Sequence, residues 1–423
     1  MTAGPLAGRS IAVPGDGAAA WHAQRMLGWL GAGVEADATN TATASDWARS
    51  GLVGLTGRRD GPPLLPPGQA ASAVRGALLA IRLLTSARSG LPGVELLSRR
   101  ARILGLRRDA PRSARGAFQV LRAADGWLGV NLPRPSDQDL LEPWLGQASP
   151  DLADAVAHRR AGELADRARL FGLAVAALPD DPAQPDEQLI ARSQDAAVRP
   201  FVLTGRPADR PRKLVDPLVV DLSSLWAGPL CAHLLSLLGA RVVKVESTQR
   251  PDGARAGSPG FYRELHAGHR EVTLDFTAPT GRAELAGLIE SADVVIEASR
   301  PRALRQLGID AEEILARSRD KVWLSITAYG RTGPWANAIG FGDDTAMAAG
   351  LLAFDPATGT PAPCGDAIAD PVTGVNAALV AVACLQAGGP WLADLALREQ
   401  IAATLDQPAT AAPHTLDRIW HAS

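Results

Sequence analysis

The stretch from residue 217 to residue 246 limits the possible folds of this chain more than any other. Its first part, Leu218–Leu222, is a short apolar run, typical of a strand buried on both faces. Leucines at helical spacing follow a Gly-Pro step, and Gly239 closes this helix before a second apolar stretch, Arg241–Glu246. A strand, a helix and a strand in this order predict a βαβ unit and therefore a parallel sheet of α/β type.

Strand and helix patterns continue to alternate after this unit. Further strands are predicted at Glu271–Asp275, Val294–Glu297, Val322–Ile326 and near Trp391–Leu395, with helices at 280–291, 302–316 and 371–386. We therefore predict a large α/β domain, residues 217–423, with a parallel Rossmann-like sheet flanked by helices.

The segment before this domain divides into two parts. Residues 112–179 predict a smaller α+β domain, with strands around an Asp125-Gly126 turn and amphipathic helices at 137–146 and 150–171. Residues 180–216 are rich in Pro, Asp and Arg, which is typical of a linker.

An internal repeat is visible once the βαβ unit is known. Residues 10–36 align without gaps on 218–244, and residues 50–80 match 349–381 with one gap. Chance similarity between helices rich in Ala, Leu and Gly is the alternative explanation. Because both segments occur in the same order, we interpret residues 1–111 as a shortened, degenerate copy of large-domain elements.

Composition excludes several classes of function. The formal net charge is −2, with 46% hydrophobic residues, which argues against a nucleic-acid-binding surface. No run of 18 apolar residues and no signal-peptide pattern appear, so we expect a cytoplasmic protein that does not enter a membrane. The three cysteines (Cys231, Cys364 and Cys384) have no metal-ligand spacing, and a metal site is not expected.

Several phrases of the second half resemble the family III CoA-transferases (the CaiB/BaiF, formyl-CoA transferase-like family). These phrases are LVVDLSSLWAGPLCAHLLSLLGARVVKVE, GHREVTLDF, SADVVIEASRPRALRQLGID, LSITAYGRTGP, GFGDDTAMAAG and GDAIADPVTGVNAALVAVACL, and together they span about 218–398. The stretch FQVLRAADGWLGVNLP resembles the small domain of the family. In the family that domain follows the large one, whereas here it precedes the complete large-domain copy.

The resemblance implies an acyl-CoA:carboxylate CoA-transferase that acts through an aspartyl-CoA thioester. Family members use an Asp that opens the helix after a Gly-rich turn, and Asp370 stands at that position. An ordinary helix N-cap is the other interpretation of an Asp followed by Pro371 and Thr373. Turn residues surround Asp366, which predicts a surface loop there. Ser72 occupies the position matching Asp370 in the N-terminal copy, so that copy should be catalytically dead.

The resemblance also implies contacts with coenzyme A, the substrate carrier, and no prosthetic group. The adenine loop of the family corresponds to Leu225, Trp226 and Ala227, although Trp226 could equally cap the sheet edge. His269 and Arg270 could meet a phosphate or could be a solvated pair beside a strand. Tyr329 stands where an aromatic residue often lies near the thioester, with simple burial as the alternative.

Other positions depart from the family pattern. Ala298-Ser299 replaces the usual Asn-Phe and Gln306 replaces an expected Arg, a loss for which Arg300, Arg302 or Arg305 could compensate. A catalytically inactive CoA-binding or partner subunit is therefore the alternative function. Racemase chemistry is not expected, because this chain has Gly340-Phe341-Gly342-Asp343 in place of the Gly-His-Asp motif of the related racemases. The implied partners are an acyl-CoA, a small carboxylic acid and a second copy of the chain in an interlocked homodimer.

Overall fold

The computed structural model describes residues 3–35, 38, 44–85, 90–148, 151–179, 199–209 and 215–405. In this part of the chain the dominant element is a seven-stranded sheet with the order β4-β12-β9-β8-β5-β6-β7. Its strands are β4 (Val202–Gly205), β5 (Leu218–Asp221), β6 (Arg241–Ser247), β7 (Arg270–Leu274), β8 (Val294–Glu297), β9 (Val322–Thr327) and β12 (Trp391–Ala396). All neighbouring pairs are parallel except β12 with β4. The predicted α/β class is confirmed.

The outermost strand corrects part of the linker prediction. Val202–Gly205 lies inside the stretch 180–216, yet it pairs antiparallel with β12 from Trp391 to Asp394. Hydrogen bonds to an open sheet edge hold this short segment, and its Val-Leu-Thr run is typical of a strand. The rest of the predicted linker, 180–198 and 210–214, lies outside the described residues.

Helices cover both faces of this sheet. They are α9 (Ala227–Leu237), α10 (Ala254–Gly257), α11 (Pro259–Leu265), α12 (Pro279–Ser291), α13 (Pro301–Gln306), α14 (Ala311–Arg317), α15 (Gly342–Ala348), α16 (Ala369–Ala387) and α17 (Leu397–Leu405). The helix predicted at 302–316 is two helices, because Gly308 adopts a φ of 79° and Asp310 caps a new helix through the Glu313 N–H at 3.1 Å. A short ribbon, β10 (Leu352–Phe354) and β11 (Pro361–Pro363), precedes α16.

A smaller antiparallel sheet lies before the large one in the chain. It contains β1 (Phe118–Arg122), β2 (Trp127–Asn131) and β3 (Ala174–Ala177) in that order, with α5 (Pro135–Gln138), α6 (Leu141–Leu145), α7 (Leu152–Ala157) and α8 (Ala161–Phe171). The two predicted helices are therefore four, and the break at Arg160 has an extended ψ of 134°. Buried Trp144 donates to the Leu164 carbonyl at 3.0 Å within a hydrophobic cluster of this unit.

The N-terminal region does not form a core of its own. Its helices are α1 (Ala18–Trp29), α2 (Ala44–Arg49), α3 (Ala70–Thr85) and α4 (Arg99–Leu104). Helix α3 packs between α1 and α16, and the buried side chains of both regions form one continuous hydrophobic cluster. The first part of the chain is thus built into the same body as the large sheet.

Two correspondences support the predicted repeat. Ser10 pairs with Gly33 in a parallel bridge, and their counterparts 208 positions later, Leu218 and Arg241, pair in parallel in the large sheet. The packing of helices repeats as well. A Cβ on Gly76 of α3 would lie 2.6 Å from the Ala19 carbonyl oxygen, and a Cβ on Gly374 of α16 would lie 2.6 Å from that of Ala227. The first copy keeps the helix pair, and the bridge between Ser10 and Gly33 stands where the second copy has two paired strands.

Candidate active site

Asp370 lies in the first turn of α16 but does not cap it. The helix begins at Ala369, and its N-cap residue, Ile368, makes no side-chain cap. The N-cap interpretation of Asp370 is therefore wrong. Backbone N–H groups of Gly342 and Ala227, at the starts of α15 and α9, instead lie close enough to the Asp370 carboxylate to lower its pKa. Peptide dipoles at helix starts favour negative charge at this point.

The charge state of Asp370 follows from opposing effects. Burial raises its pKa to about 6, and the negative charge of Asp366 adds to this. Arg100 and the N–H groups of Gly342 and Ala227 act in the opposite direction. Since the resulting pKa lies below neutrality, the carboxylate is mostly ionised at pH 7. Asp370 as a whole residue is partly exposed.

The turn before Asp370 is fixed by partners from distant parts of the chain. The Gly365 N–H donates to Thr56 Oγ1 at 3.0 Å, and the Ala367 N–H donates to Asp343 Oδ1 at 2.8 Å. Between them, Arg100 donates to both oxygens of Asp366 at 2.8 and 2.6 Å. These contacts hold Ala367 at a φ of 46°, a conformation that costs a non-glycine residue about 1–3 kcal/mol.

Asp366 is fully buried, so the surface loop predicted for it is wrong. The physical reason is its bidentate ion pair with Arg100, whose side chain is only 12% exposed. Sequence reasoning missed Arg100, because it lies 266 residues before its partner. No local pattern around residue 100 marks it as part of a site.

Two further carboxyl groups lie beside Asp370. Burial raises the pKa of Asp343 to about 7, with a further contribution from Asp366. Burial likewise raises the pKa of Asp344 to about 7, and Asp370 adds to the rise. Asp344 and Asp366 have no exposed surface, whereas Asp343 and Asp370 are half-buried. Only these two can meet a substrate without rearrangement, and Asp370 has the lower pKa.

The three residues predicted to contact adenine have different surroundings. Leu225 is 38% exposed, has a φ of 71°, and donates its N–H to Asp252 at 3.1 Å. Ala227 is buried, and its N–H lies close enough to Asp370 to lower the pKa of that carboxyl group. Trp226 is 1% exposed; its ring meets Phe261 edge-on at 5.1 Å, and the Arg100 guanidinium lies 4.4 Å from the ring centroid. The indole thus has no free face for a nucleotide, which corrects the prediction for this side chain.

The other three residues predicted to contact CoA also differ in charge and burial. Burial, followed by the charge of His266, lowers the pKa of His269 to about 4, so this ring is neutral at pH 7 and supplies no charge to a phosphate. Arg270 is exposed at the start of edge strand β7. Tyr329 is 2% exposed and meets Trp335 edge-on at 5.4 Å, which agrees with the burial alternative.

Basic side chains gather near the point where the sheet order reverses. Strand β5 lies between β6 and β8, and open α/β sheets bind ligands at the carboxyl ends of such strands. Arg300, after β8, is half-buried; burial lowers its pKa, and the charges of Arg302, Arg250 and Arg134 lower it further. The sequence predicted Arg300 and Arg302 as substitutes for the lost arginine. Arg305 is instead paired with Asp310 at 2.9 Å.

Neither a metal cluster nor a lipid-facing helix marks the site. Within the described ranges, no group of three His, Cys, Asp or Glu side chains could hold a metal ion. Helix α16 is long and apolar enough to cross a membrane by length and composition, but 83% of its apolar window is buried inside the protein. A core helix of a soluble protein has the same properties.

Comparisons with known proteins locate the resemblance in the second half of the chain. Residues 214–417 match the model of CoA-transferase family III. The succinyl-CoA–D-citramalate CoA-transferase of Chloroflexus aurantiacus is 29% identical over 211 residues, 46% of this chain and 52% of that protein. The succinate–glutarate CoA-transferase of Agrobacterium fabrum is 31% identical over 172 residues, 37% of this chain and 43% of that protein.

One match extends further along the chain. A probable CoA-transferase of Mycobacterium tuberculosis is 25% identical over 398 residues, 72% of this chain and 50% of that protein. Among solved structures, a CaiB/BaiF family protein of Brucella suis is 27% identical, covers 51% of this chain and 59% of that one, and has a TM-score of 0.43. The chain spans about half the length of the curated relatives it matches. Its segment from residue 214 to residue 417 belongs to CoA-transferase family III.

Proposed function

We propose that the protein transfers coenzyme A between an acyl-CoA and a small carboxylic acid, with Asp370 as the covalent nucleophile. One observation carries the proposal: Asp370 is a partly exposed residue with an ionised carboxylate, and N–H groups at two helix starts lie close enough to lower its pKa. A nucleophile needs an accessible, charged oxygen, and preorganised N–H donors stabilise the oxyanion that forms during attack.

The reaction consists of paired exchanges at one carboxylate. An Asp370 oxygen attacks the thioester carbon, the C–S bond breaks, and a mixed anhydride and CoA thiolate result. The thiolate then attacks the Asp370 carbonyl carbon, which releases the donor acid and leaves an aspartyl-CoA thioester. An acceptor carboxylate attacks the carbonyl carbon of this thioester, the C–S bond breaks, and a second mixed anhydride and CoA thiolate form. The thiolate then attacks the acceptor's carbonyl carbon, which yields the new acyl-CoA and releases Asp370 as a carboxylate. Dividing the exchange in this way replaces one difficult step with easier ones.

The arginines near the sheet reversal are the proposed contacts of the CoA phosphates. Arg134, Arg250 and Arg302 lie close enough to Arg300 for their charges to lower its pKa, and Arg134 also pairs with Asp137. Like charges held together favour binding of a polyanion, and guanidinium groups match phosphate oxygens in geometry. Exposed Arg270 and the backbone around Leu225 stay proposed as contacts with the nucleotide.

A second candidate is a CoA-binding or partner subunit that has lost turnover. Ala298-Ser299 and Gln306 depart from the family pattern, and the chain spans about half the length of its curated relatives. On this reading the fold and CoA binding persist, while Asp370 forms no covalent bond.

Trapping the intermediate separates the two candidates. The protein is incubated with succinyl-CoA, treated with hydroxylamine and digested, and the peptide containing residue 370 is examined by mass spectrometry. Transferase chemistry predicts a hydroxamate at Asp370 and none in an Asp370→Asn variant. If CoA binds but no residue is labelled, the transferase proposal fails and the binding subunit is supported.

Assembly and compartment are further proposals. A homodimer follows from the family resemblance, whereas in this chain the two repeat copies already pack together through α3 and α16. Analytical ultracentrifugation distinguishes one chain from two by mass. All three cysteines are free and buried, which suits the proposed cytoplasmic location.

A further inference from the structure

A basic cavity lies in the N-terminal region, apart from the arginines near the sheet reversal. Its volume is about 400 Å³, within the range of small-molecule pockets. It lies between the 3₁₀ helix Leu52–Leu55 and helix α4 (Arg99–Leu104). Its lining contains four arginines (Arg59, Arg102, Arg107 and Arg108) together with small or apolar residues.

The positive charge of this cavity is poorly balanced. Arg59 pairs with Asp109 at 3.1 Å. Arg108 donates to the carbonyls of Arg58 and Gly61, both at 2.8 Å. Arg102 donates to the Glu95 carbonyl at 3.2 Å. In the described part of the chain, Arg102, Arg107 and Arg108 form no ion pair with another residue. The ion pair of Arg59 with Asp109 is therefore the one described for the four arginines of the lining.

We propose that this cavity binds a phosphorylated small molecule. Guanidinium groups bind phosphate oxygens in pairs, and several of them around one cavity select a ligand with more than one negative charge. Gly54 lines the wall, and a Cβ there would have no atom within 4 Å, so a ligand can approach this part of the backbone. The ligand is either the nucleotide end of a CoA molecule, a source that rests on the proposed function, or an independent phosphorylated metabolite.

The cavity wall touches the segment that positions Asp370. Ser98 lines the cavity, and Arg100, two residues later, forms the ion pair with Asp366. Leu52 packs on the other side, where a Cβ on Gly365 would lie 3.0 Å from its side chain. A bound phosphate therefore rests against the supports of the turn from Gly365 to Ala367.

Calorimetric titration of the full chain tests the proposal without requiring turnover. The probes are adenosine 3′,5′-bisphosphate, which is the nucleotide end of CoA, and pyrophosphate. All proteins carry Arg300→Gln and Arg302→Gln, so that the other arginine group binds less. In this background, adding Arg102→Gln and Arg107→Gln should weaken probe binding at least tenfold, because each lost charge-assisted bond contributes roughly a factor of ten. Exposed Arg319 provides the matched control, and Arg319→Gln should change nothing.

The outcomes separate the two sources of ligand. Competition between CoA and pyrophosphate at the cavity identifies the nucleotide end of CoA. Pyrophosphate binding that CoA does not displace identifies an independent metabolite, and it would stand even if Asp370 proved unreactive. Absence of binding by either probe, or equal binding by the Arg102→Gln/Arg107→Gln protein and the Arg319→Gln control, would overturn the proposal. Circular dichroism of each variant excludes loss of fold as the cause.

Discussion

Arg100 donates to both carboxylate oxygens of Asp366, at 2.8 and 2.6 Å, while its guanidinium lies 4.4 Å from the centroid of the Trp226 ring. One side chain of the N-terminal region thus fixes the turn before Asp370 and covers the start of helix α9. The Asp370 site is therefore incomplete without Arg100.

Removing Arg100 should destabilise the protein far more than removing its neighbour. Arg100→Gln leaves Asp366 as an unpaired buried charge, for which we expect a loss of about 3–5 kcal/mol in the free energy of unfolding. Arg99→Gln is the matched control, because Arg99 pairs with Glu264 at the surface, where such pairs contribute at most about 1 kcal/mol. Urea unfolding measures both, and equal losses would contradict the structural role given to Arg100.

Exchange activity should fall in acid as Asp370 becomes protonated. The rate should decline as the pH drops through about 6, and Asp370→Asn should abolish it at every pH. Asp366→Asn should move this acid limb to lower pH, because the charge of Asp366 raises the pKa of Asp370. If the rate of the Asp366→Asn variant declined at the same pH as that of the unmodified protein, a group other than Asp370 would control the rate.

Asp344 should lower stability at neutral and alkaline pH. Its folded pKa, about 7, lies above the ordinary value of 3.8, so the folded state binds the extra proton between these values. Stability from this group is therefore present in acid and lost as the pH rises through 7. Asp344→Asn should raise the free energy of unfolding by about 1–3 kcal/mol at pH 8, with the gain vanishing near pH 4.

Asp310 supplies a control of opposite sign for that experiment. Hydrogen bonding by the Glu313 N–H, the largest cause, lowers its pKa. Its contribution is therefore present at pH 8 and lost in acid, so Asp310→Asn should slightly lower stability at pH 8. A gain in Asp344→Asn that did not depend on pH would contradict the explanation.

A methyl group added between the paired helices should destabilise both repeat copies to a similar extent. Gly76→Ala and Gly374→Ala each place a Cβ 2.6 Å from a backbone oxygen, so each should destabilise by about 1–3 kcal/mol. Exposed Gly287 of α12 has no atom within 4 Å of such a Cβ, and Gly287→Ala should instead stabilise by about 0.5–1 kcal/mol. Thermal unfolding of the three variants checks this, and tolerance at Gly76 alone would argue against equivalent packing.

Local sequence determined the parallel sheet and the place of Asp370 at the start of a core helix. The strand at Val294–Glu297 has the predicted bounds, because apolar runs and turn residues act over a few positions. The family resemblance, carried by spaced phrases, likewise survived comparison with known proteins.

Tertiary structure decided the rest. Whether Asp366 is exposed depends on Arg100, 266 residues away. Whether the Trp226 ring has a free face for a nucleotide depends on the same guanidinium. His269 is neutral because burial and neighbouring histidines lower its pKa, which no spacing reveals. Short-range patterns encode backbone conformation, whereas burial and charge pairing arise from contacts between distant segments, and these set the chemistry of the site.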